Sequence, residues 1–517
     1  MLSIAFPTIL RISRLMPLLI MLTTACESIE DKNKDTALEK PVESTGQSLS
    51  RIHCASCHAY VPPSQLDSAT WNEQVLPAMA AKMGIGVWQN NQYFSPKNND
   101  SGTAVSLEEW DQIVEFYANN SLVQMPVEKH LPLEKDWSGF SLVVPRSQNK
   151  ALSTTTLVAI DSVNHVVYTS DESSKLSKWK NGIKEDAGIQ LPSQAVSMSF
   201  PKANFNAREA IVTCIGNIMA TDETKGTVAG ISLTKSYLSK PIAANLRRPV
   251  YSTVYDYDKD GKAEILVCGF GHEKGALSIL RQKNGEYEQE VMWARSGALQ
   301  IENFDYDNDG WMDFIALFGQ GDEGIWLFRN NGKGGFEKKQ LLAFSPLNGS
   351  SSFQLYDFNK DGRIDILYTC GDNSDHSRIL KPFHGMYIYL NASRDRFTEK
   401  YFYPMNGCTK AIVRDFDLDG KPEIAAIAFF ADLSEHDPRT FLYFREESMM
   451  DFKPVEIPVS KHGRWICMDA KDIDGDGDID IVLGNYSKGF INQEDAVKDW
   501  DGQMPFVILK NDAMRNR

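Results

Sequence analysis

The chain has no excess of positive charge: 54 lysines and arginines face 69 aspartates and glutamates, for a formal charge of −15. Phosphate backbones are bound by surplus Lys and Arg, so nucleic acid is excluded as a partner. Beyond the first 25 residues no run is long and apolar enough to cross a bilayer as a helix. No G-x-S-x-G, P-loop or H-E-x-x-H string occurs, so the chain shows none of these three catalytic signatures. Cysteine is sparse, eight residues in 517, and C-x-x-C occurs once, which leaves no second pair to complete a zinc site. Cys214, Cys268, Cys370, Cys408 and Cys467 form an odd set that cannot all pair internally. The first three fall late in apolar runs and read as small buried hydrophobes. At about 150 residues per domain, the length calls for two to four domains, or one small domain beside a large repeat domain.

What is present begins with an N-terminus unlike mature structure. Arg11 and Arg14 precede the short apolar run Leu15–Leu22, interrupted by Pro17 and followed by Thr23-Thr24-Ala25-Cys26. Residues 1–25 are too short to span a bilayer and read as a secretory signal. The segment resembles a bacterial lipoprotein signal, which implies lipidation of Cys26, although Thr23 stands where such signals usually carry leucine. Residues 26–45 are polar and poor in aromatics, the composition of a flexible tether. The expectation is an exported, periplasmic or outer-membrane protein held to a membrane through a lipid anchor.

Residues 54–58 read Cys54-Ala55-Ser56-Cys57-His58. Two thiols one helical turn apart can add to the two vinyl groups of one porphyrin, and the adjacent imidazole can ligate its iron. Downstream, Trp71–Met83 carries apolar residues at helical spacing. Ser106 and Glu109 form a capping box ahead of Trp110, Ile113, Val114, Phe116 and Tyr117. Residues 46–127 therefore resemble a small cytochrome c domain. That resemblance implies one covalent haem c held by Cys54, Cys57 and His58, with a methionine as sixth ligand. Leu76-Pro77-Ala78-Met79 favours Met79; Met83, one turn on, is the alternative. A carbonyl of Pro62 or Pro63 is expected to accept the His58 Nδ1 proton.

Five acidic loops recur at 49, 52, 58 and 57 residue spacings. Their first, third, fifth, seventh and ninth positions are Asp256, Asp258, Asp260, Lys262 and Glu264; Asp305, Asp307, Asp309, Trp311 and Asp313; Asp357, Asn359, Asp361, Arg363 and Asp365; Asp415, Asp417, Asp419, Lys421 and Glu423; and Asp472, Asp474, Asp476, Asp478 and Asp480. Calcium takes six to eight hard oxygens, and alternate carboxylates converge only if the backbone curls, which the glycine at position six permits. Positions one, three, five and nine would supply carboxylate or amide oxygens, and position seven a backbone carbonyl. Short apolar strand-like runs flank every loop, which excludes the helices of an EF-hand. Strand, acidic loop and strand at this period resemble the FG-GAP or VCBS repeat of integrin-type β-propellers.

The fold class that follows is multidomain: a small all-α haem domain, 46–127, then an all-β, calcium-loaded propeller, 128–517, of seven blades, with two degenerate blades before Asp256. A strand near Phe140 would close the ring against the last blade. About five Ca²⁺ ions are expected. Two functions compete. In the first, a six-coordinate haem carries electrons to a redox partner protein, and the propeller is a docking platform for a protein or glycan. In the second, the propeller face oxidises a sugar or alcohol and reduces its own haem; a surface adhesion module is a third, weaker reading. No catalytic constellation is visible, and fold alone does not choose.

Overall fold

The computed structural model describes residues 44–95, 105–126, 131–146, 150–185, 187–200, 209–235, 237–374, 377–435, 438–489 and 496–514. The signal-like segment 1–25, Cys26 and nearly all of the tether lie outside these. So do Asn204 and Asn206 of the turn expected in the second degenerate blade.

Seven antiparallel sheets follow one another along the chain. Their first strands are Thr155–Asp161, Ala195–Ser199, Pro249–Tyr255, Ala298–Asn303, Ser350–Tyr356, Cys408–Arg414 and Trp465–Lys471, and these contact one another in a closed ring that joins the seventh to the first. This is a seven-bladed β-propeller. The seventh blade is completed by Phe140–Val143, which pairs antiparallel with Phe506–Asn511, so the expected closing strand is present. Second strands such as Phe314–Phe318, Asp365–Cys370 and Glu423–Ala428 are buried along their whole length. Covered on both faces, they read in sequence as unbroken apolar runs. Fourth strands such as Glu286–Trp293 are largely exposed and charged, which guards the sheet edges.

All seven first strands carry a β-bulge at the same place, between Thr155/Leu157, Ala195/Ser197, Pro249/Tyr251, Ala298/Gln300, Ser350/Ser352, Cys408/Lys410 and Trp465/Cys467. The bulge sharpens the twist at which the strand enters the axis. The free inner edge is then satisfied from the neighbouring blade. Gln300 brackets the N–H and C=O of Phe353, and Gln354 brackets those of Val413. Asp469 accepts from Ile160 N at 2.8 Å.

The N-terminal part departs from expectation. Residues 44–126 form helices α1 (Thr45–Cys54), α2 (Ser68–Thr70), α3 (Leu76–Lys82) and α4 (Leu107–Asn120), but also a hairpin, Gly86–Trp88 with Gln92–Phe94. A π-turn, Trp71–Val75, links α2 to α3, because Pro77 has no N–H for the regular ladder and Leu76 N reaches back to Trp71 O. The capping box at Ser106 and Glu109 is formed. Yet this segment is not a separate all-α domain. Its core of Val61, Leu66, Trp71, Val75, Leu76, Trp110, Ile113 and Tyr117 continues into Leu347 of the propeller, with Ile379 and Phe383 packed against it. Ser44–Arg517 is one compact unit. A few short helices bury too little surface to close a core alone, so they complete it on the propeller. Helical periodicity marks the helices but does not say what their apolar faces meet.

Antiparallel strands alternate in direction, so the turns from first to second and from third to fourth strand lie on one face of the disc, and the second-to-third turns and blade-to-blade connections on the other. The acidic loops occupy the first face. The helical segment sits on the second, where Ser345 reaches Gln65 and Lys82 pairs with Glu273.

Candidate metal loops and the Cys54–His58 segment

The five acidic loops share one backbone. Position six is a left-handed glycine in each: Gly261, Gly310, Gly362, Gly420 and Gly477, with φ between 81° and 98°. Position four is left-handed as well, at Lys259, Asn308, Lys360, Leu418 and Gly475, a feature the side chains do not advertise. The curl lets the first aspartate accept from the glycine N–H in every loop, at 2.8–3.1 Å. The ninth carboxylate accepts the position-two N–H in every loop, at 2.8–2.9 Å. The fifth carboxylate turns back on the position-seven N–H, for example Asp260 on Lys262 and Asp309 on Trp311, each at 2.8 Å.

Carboxylate oxygens converge to within 4.8 Å of one another in four loops: Asp256, Asp258 and Asp260; Asp305, Asp307 and Asp313; Asp415, Asp417 and Glu423; Asp472, Asp474 and Asp480. In the loop with Asn359, Asp357 Oδ1 and Asn359 Oδ1 both accept from Asp361 N. No trio of acids forms there among the described residues. Asp309, Asp419 and Asp476 stand outside the trios of their loops.

The donor set fits a hard divalent cation. Asp256, Asp305 and Asp415 each leave Oδ1 buried without a hydrogen-bond partner while Oδ2 holds the glycine N–H, and Asp307 and Asp478 each leave an Oδ1 in the same condition. An orphaned buried oxygen is costly, and a cation removes the cost. The ninth-position acids differ: they are buried but hydrogen-bonded, Asp313, Asp365 and Asp480 through both oxygens. Glu264, Asp313, Asp365, Glu423 and Asp480 are all buried. Burial, reinforced by neighbouring carboxylates, pushes Glu264 and Asp480 up to about 7 and Glu423 up to about 8.

The third-position acids have partners that sequence reading missed. Arg281, Arg329 and Lys510, on the third strands of blades 3, 4 and 7, pair with Asp258, Asp307 and Asp474.

Cys54 ends α1 and is partly buried; Cys57 is exposed; both are free thiols. Burial and the neighbouring Cys57 push the Cys54 thiol up to about 11. His58 Nδ1 lies 2.8 Å from the carbonyl of Ala59, not from a proline carbonyl, because Pro63 O already accepts from Trp71 Nε1 at 2.8 Å. This bond leaves His58 Nε2 as the ring nitrogen available to a ligand. Met83 is a core residue, 8% exposed, whereas Met79 packs against that core from its edge. The residues thus fit a covalently held haem: two unpaired thiols, a histidine with one nitrogen committed, and a methionine outside the core. Cys214, Cys268, Cys370 and Cys408 are buried free thiols, and Cys467 is a partly buried one.

Residues 305–368 match the FG-GAP-like repeat family. Over 169 residues the chain is 28% identical to human cartilage acidic protein 1, covering 31% of this chain and 24% of that protein. The mouse protein of the same name is also 28% identical, over 31% of this chain and 25% of its own length. The chain thus spans about a quarter of the curated relatives it matches. Among solved structures, the N-terminal domain of Nup159 covers 75% of this chain and 99% of its own at 11% identity and a TM-score of 0.42. The RRP9 WD40 repeats cover 74% and 99% at 8% identity and a TM-score of 0.44. With its blades, its ring closure and one matched repeat established, the chain is a seven-bladed β-propeller that carries an FG-GAP-like repeat.

Proposed function

We propose that this chain is an exported electron carrier, with one covalent haem c on the helical segment and a calcium-stiffened propeller that docks a protein or glycan partner. The observation that carries the reading is the Cys54–His58 string, whose two thiols are free and whose histidine is already held by Ala59 O. A haem bound there supplies one-electron redox chemistry. Cys54 and Cys57 would attach it, His58 Nε2 would face the iron, and Met79 is the sixth ligand most available. With His58 and Met79 both holding it, the group would offer one-electron transfer and no open site for a substrate, and the propeller's part would be recognition. Its five acidic loops would hold Ca²⁺, supported by the orphaned oxygens of Asp256, Asp305 and Asp415. Lipidation at Cys26 would keep the pair beside a membrane and raise their effective concentration for a partner.

The test is the pyridine haemochrome spectrum of exported protein, beside Cys54→Ala and Cys57→Ala variants. One haem per chain, lost from the double variant, is expected; colourless wild-type protein refutes the reading. Met79→Ala should abolish the weak far-red absorption band of methionine ligation while Met83→Ala keeps it. The reverse result moves the ligand to Met83.

A further inference from the structure

The cations of the third strands follow a rule. In each calcium-type loop, the tenth residue pairs across the sheet with a third-strand residue: Ile265 with Leu280, Phe314 with Phe328, Ile366 with Tyr389, Ile424 with Phe444, and Ile481 with Leu509. The residue that follows each partner is Arg281, Arg329, Leu390, Arg445 and Lys510. Three of the four cations hold the third-position carboxylate of their own loop. Where that position is the neutral Asn359, the strand carries Leu390 instead. Charge at the loop and charge on the strand therefore go together.

Blade 6 departs from this rule. Its loop has an acid at position three, Asp417, and its strand has Arg445, but the guanidinium is turned away. Arg445 pairs with Asp136 and donates to Ser138 Oγ at 2.9 Å. Both partners belong to the strap Leu131–Ser138, which leads into the closing strand Phe140–Val143. Glu134–Lys135 pairs in parallel with Val455–Glu456 on the outer edge of blade 6. Glu134 is 2.9 Å from Lys453, Lys135 is 3.2 Å from Glu456, and Asp136 N donates to Glu456 O at 3.1 Å. Asp417, with no ion pair among the described residues, is left to a cation.

We propose that the strap and the blade 6 loop are coupled through Arg445: a docked strap takes the guanidinium from Asp417, so it strengthens Ca²⁺ binding at blade 6. Coupling is reciprocal, so Ca²⁺ at blade 6 tightens the strap by the same factor. The metal site thereby controls how firmly the helical segment's tie to the ring is seated. This rests on calcium occupying the loops, as proposed above.

The experiment is calcium titration calorimetry on the full chain, comparing wild type, Asp136→Asn, Arg445→Gln and the double variant. Asp136→Asn returns Arg445 to Asp417 and should weaken one bound ion about fivefold, the scale of a partly exposed charge pair. The same change in the Arg445→Gln background should do nothing, since no guanidinium remains to return. In an Asp415→Asn background, which removes the blade 6 site, it should also be silent. As an independent reading, trypsin cleavage after Lys135 should slow when calcium is added to wild type and respond less in Arg445→Gln. An unchanged isotherm for Asp136→Asn, or an equal shift with and without Arg445, overturns the coupling while leaving the calcium loops standing. A wild-type chain that takes up no calcium overturns both.

Discussion

The calcium occupancy proposed above predicts a stabilisation of the ring that depends on pH in a direction fixed by the ninth-position acids. Free glutamate and aspartate titrate near 4 in an unfolded chain. In the metal-free fold Glu264 and Asp480 rise to about 7 and Glu423 to about 8. Burial leads in all three. Asp256 and Asp258 add to it at Glu264, Asp417 and Asp419 at Glu423, and Asp474 and Asp478 at Asp480, with Arg281 opposing at Glu264. Between the unfolded and folded values the folded chain keeps protons that the unfolded chain has released. Metal-free stability therefore falls as the pH climbs from about 4 towards 8. Three units are worth about 4 kcal/mol per group before screening. The loop mouths are open to water, which leaves about 1–2 kcal/mol each and about 3–6 kcal/mol for the three. Calcium replaces those protons, so its stabilising increment should be small near pH 5 and several kcal/mol near pH 8. Thermal unfolding with resin-stripped protein, with and without saturating calcium at each pH, reads this increment as a difference. The difference also cancels His384, whose burial drives it well below its ordinary value and which destabilises both forms alike in acid. An increment that is flat or shrinks with rising pH refutes the reasoning.

Three substitutions test the packing. Gln354→Ala leaves Val413 N–H unpaired on the inner edge of blade 6, while Val413 O keeps Arg414 Nη1 at 2.6 Å, and should cost about 1–3 kcal/mol in denaturant unfolding. Phe140→Ala removes a buried ring set edge-on to Phe416 and Tyr443; a loss of about 3–5 kcal/mol is expected, with amide exchange rising first in blade 7. A Cβ at Gly46 would lie 2.3 Å from Gln112 O, so Gly46→Ala must part α1 from α4, at about 1–3 kcal/mol and with faster proteolysis of the helical segment.

The propeller was largely legible because its calcium-type loops need particular residues at particular offsets. The aspartates, the position-six glycine and the apolar run after each loop all announce themselves, and Phe140–Val143 closes the ring where expected. The bulges were not legible. The inserted residues are Thr156, Val196, Val250, Leu299, Ser351, Thr409 and Ile466, which share no chemistry because the bulge is a property of backbone register. The strand cations were hidden by loop length: Arg281 lies 23 residues after Asp258, but Lys510 lies 36 after Asp474. The acids were legible as a set but not by rank; only the structure separates Asp305 and Asp313, which converge, from Asp309, which caps its own turn. In the helical segment the periodic residues named the helices correctly. The Gly86–Phe94 hairpin was too short to show, and the partners Leu347, Ile379 and Phe383 lie more than two hundred residues away in sequence.

The clasp between Phe140–Val143 and Phe506–Asn511 has a kinetic consequence. Ser141 and Lys510 meet across 369 residues of chain, so the circle is fastened by one of the longest-range pairings available to it. Loop closure of that span is slow. During synthesis the early strand must wait with a bare edge until the last blade emerges, exposed meanwhile to pairing with other chains. A nascent molecule of this kind gains from delayed folding, and its maturation should be paced by the arrival of residues 506–511 rather than by any blade forming on its own.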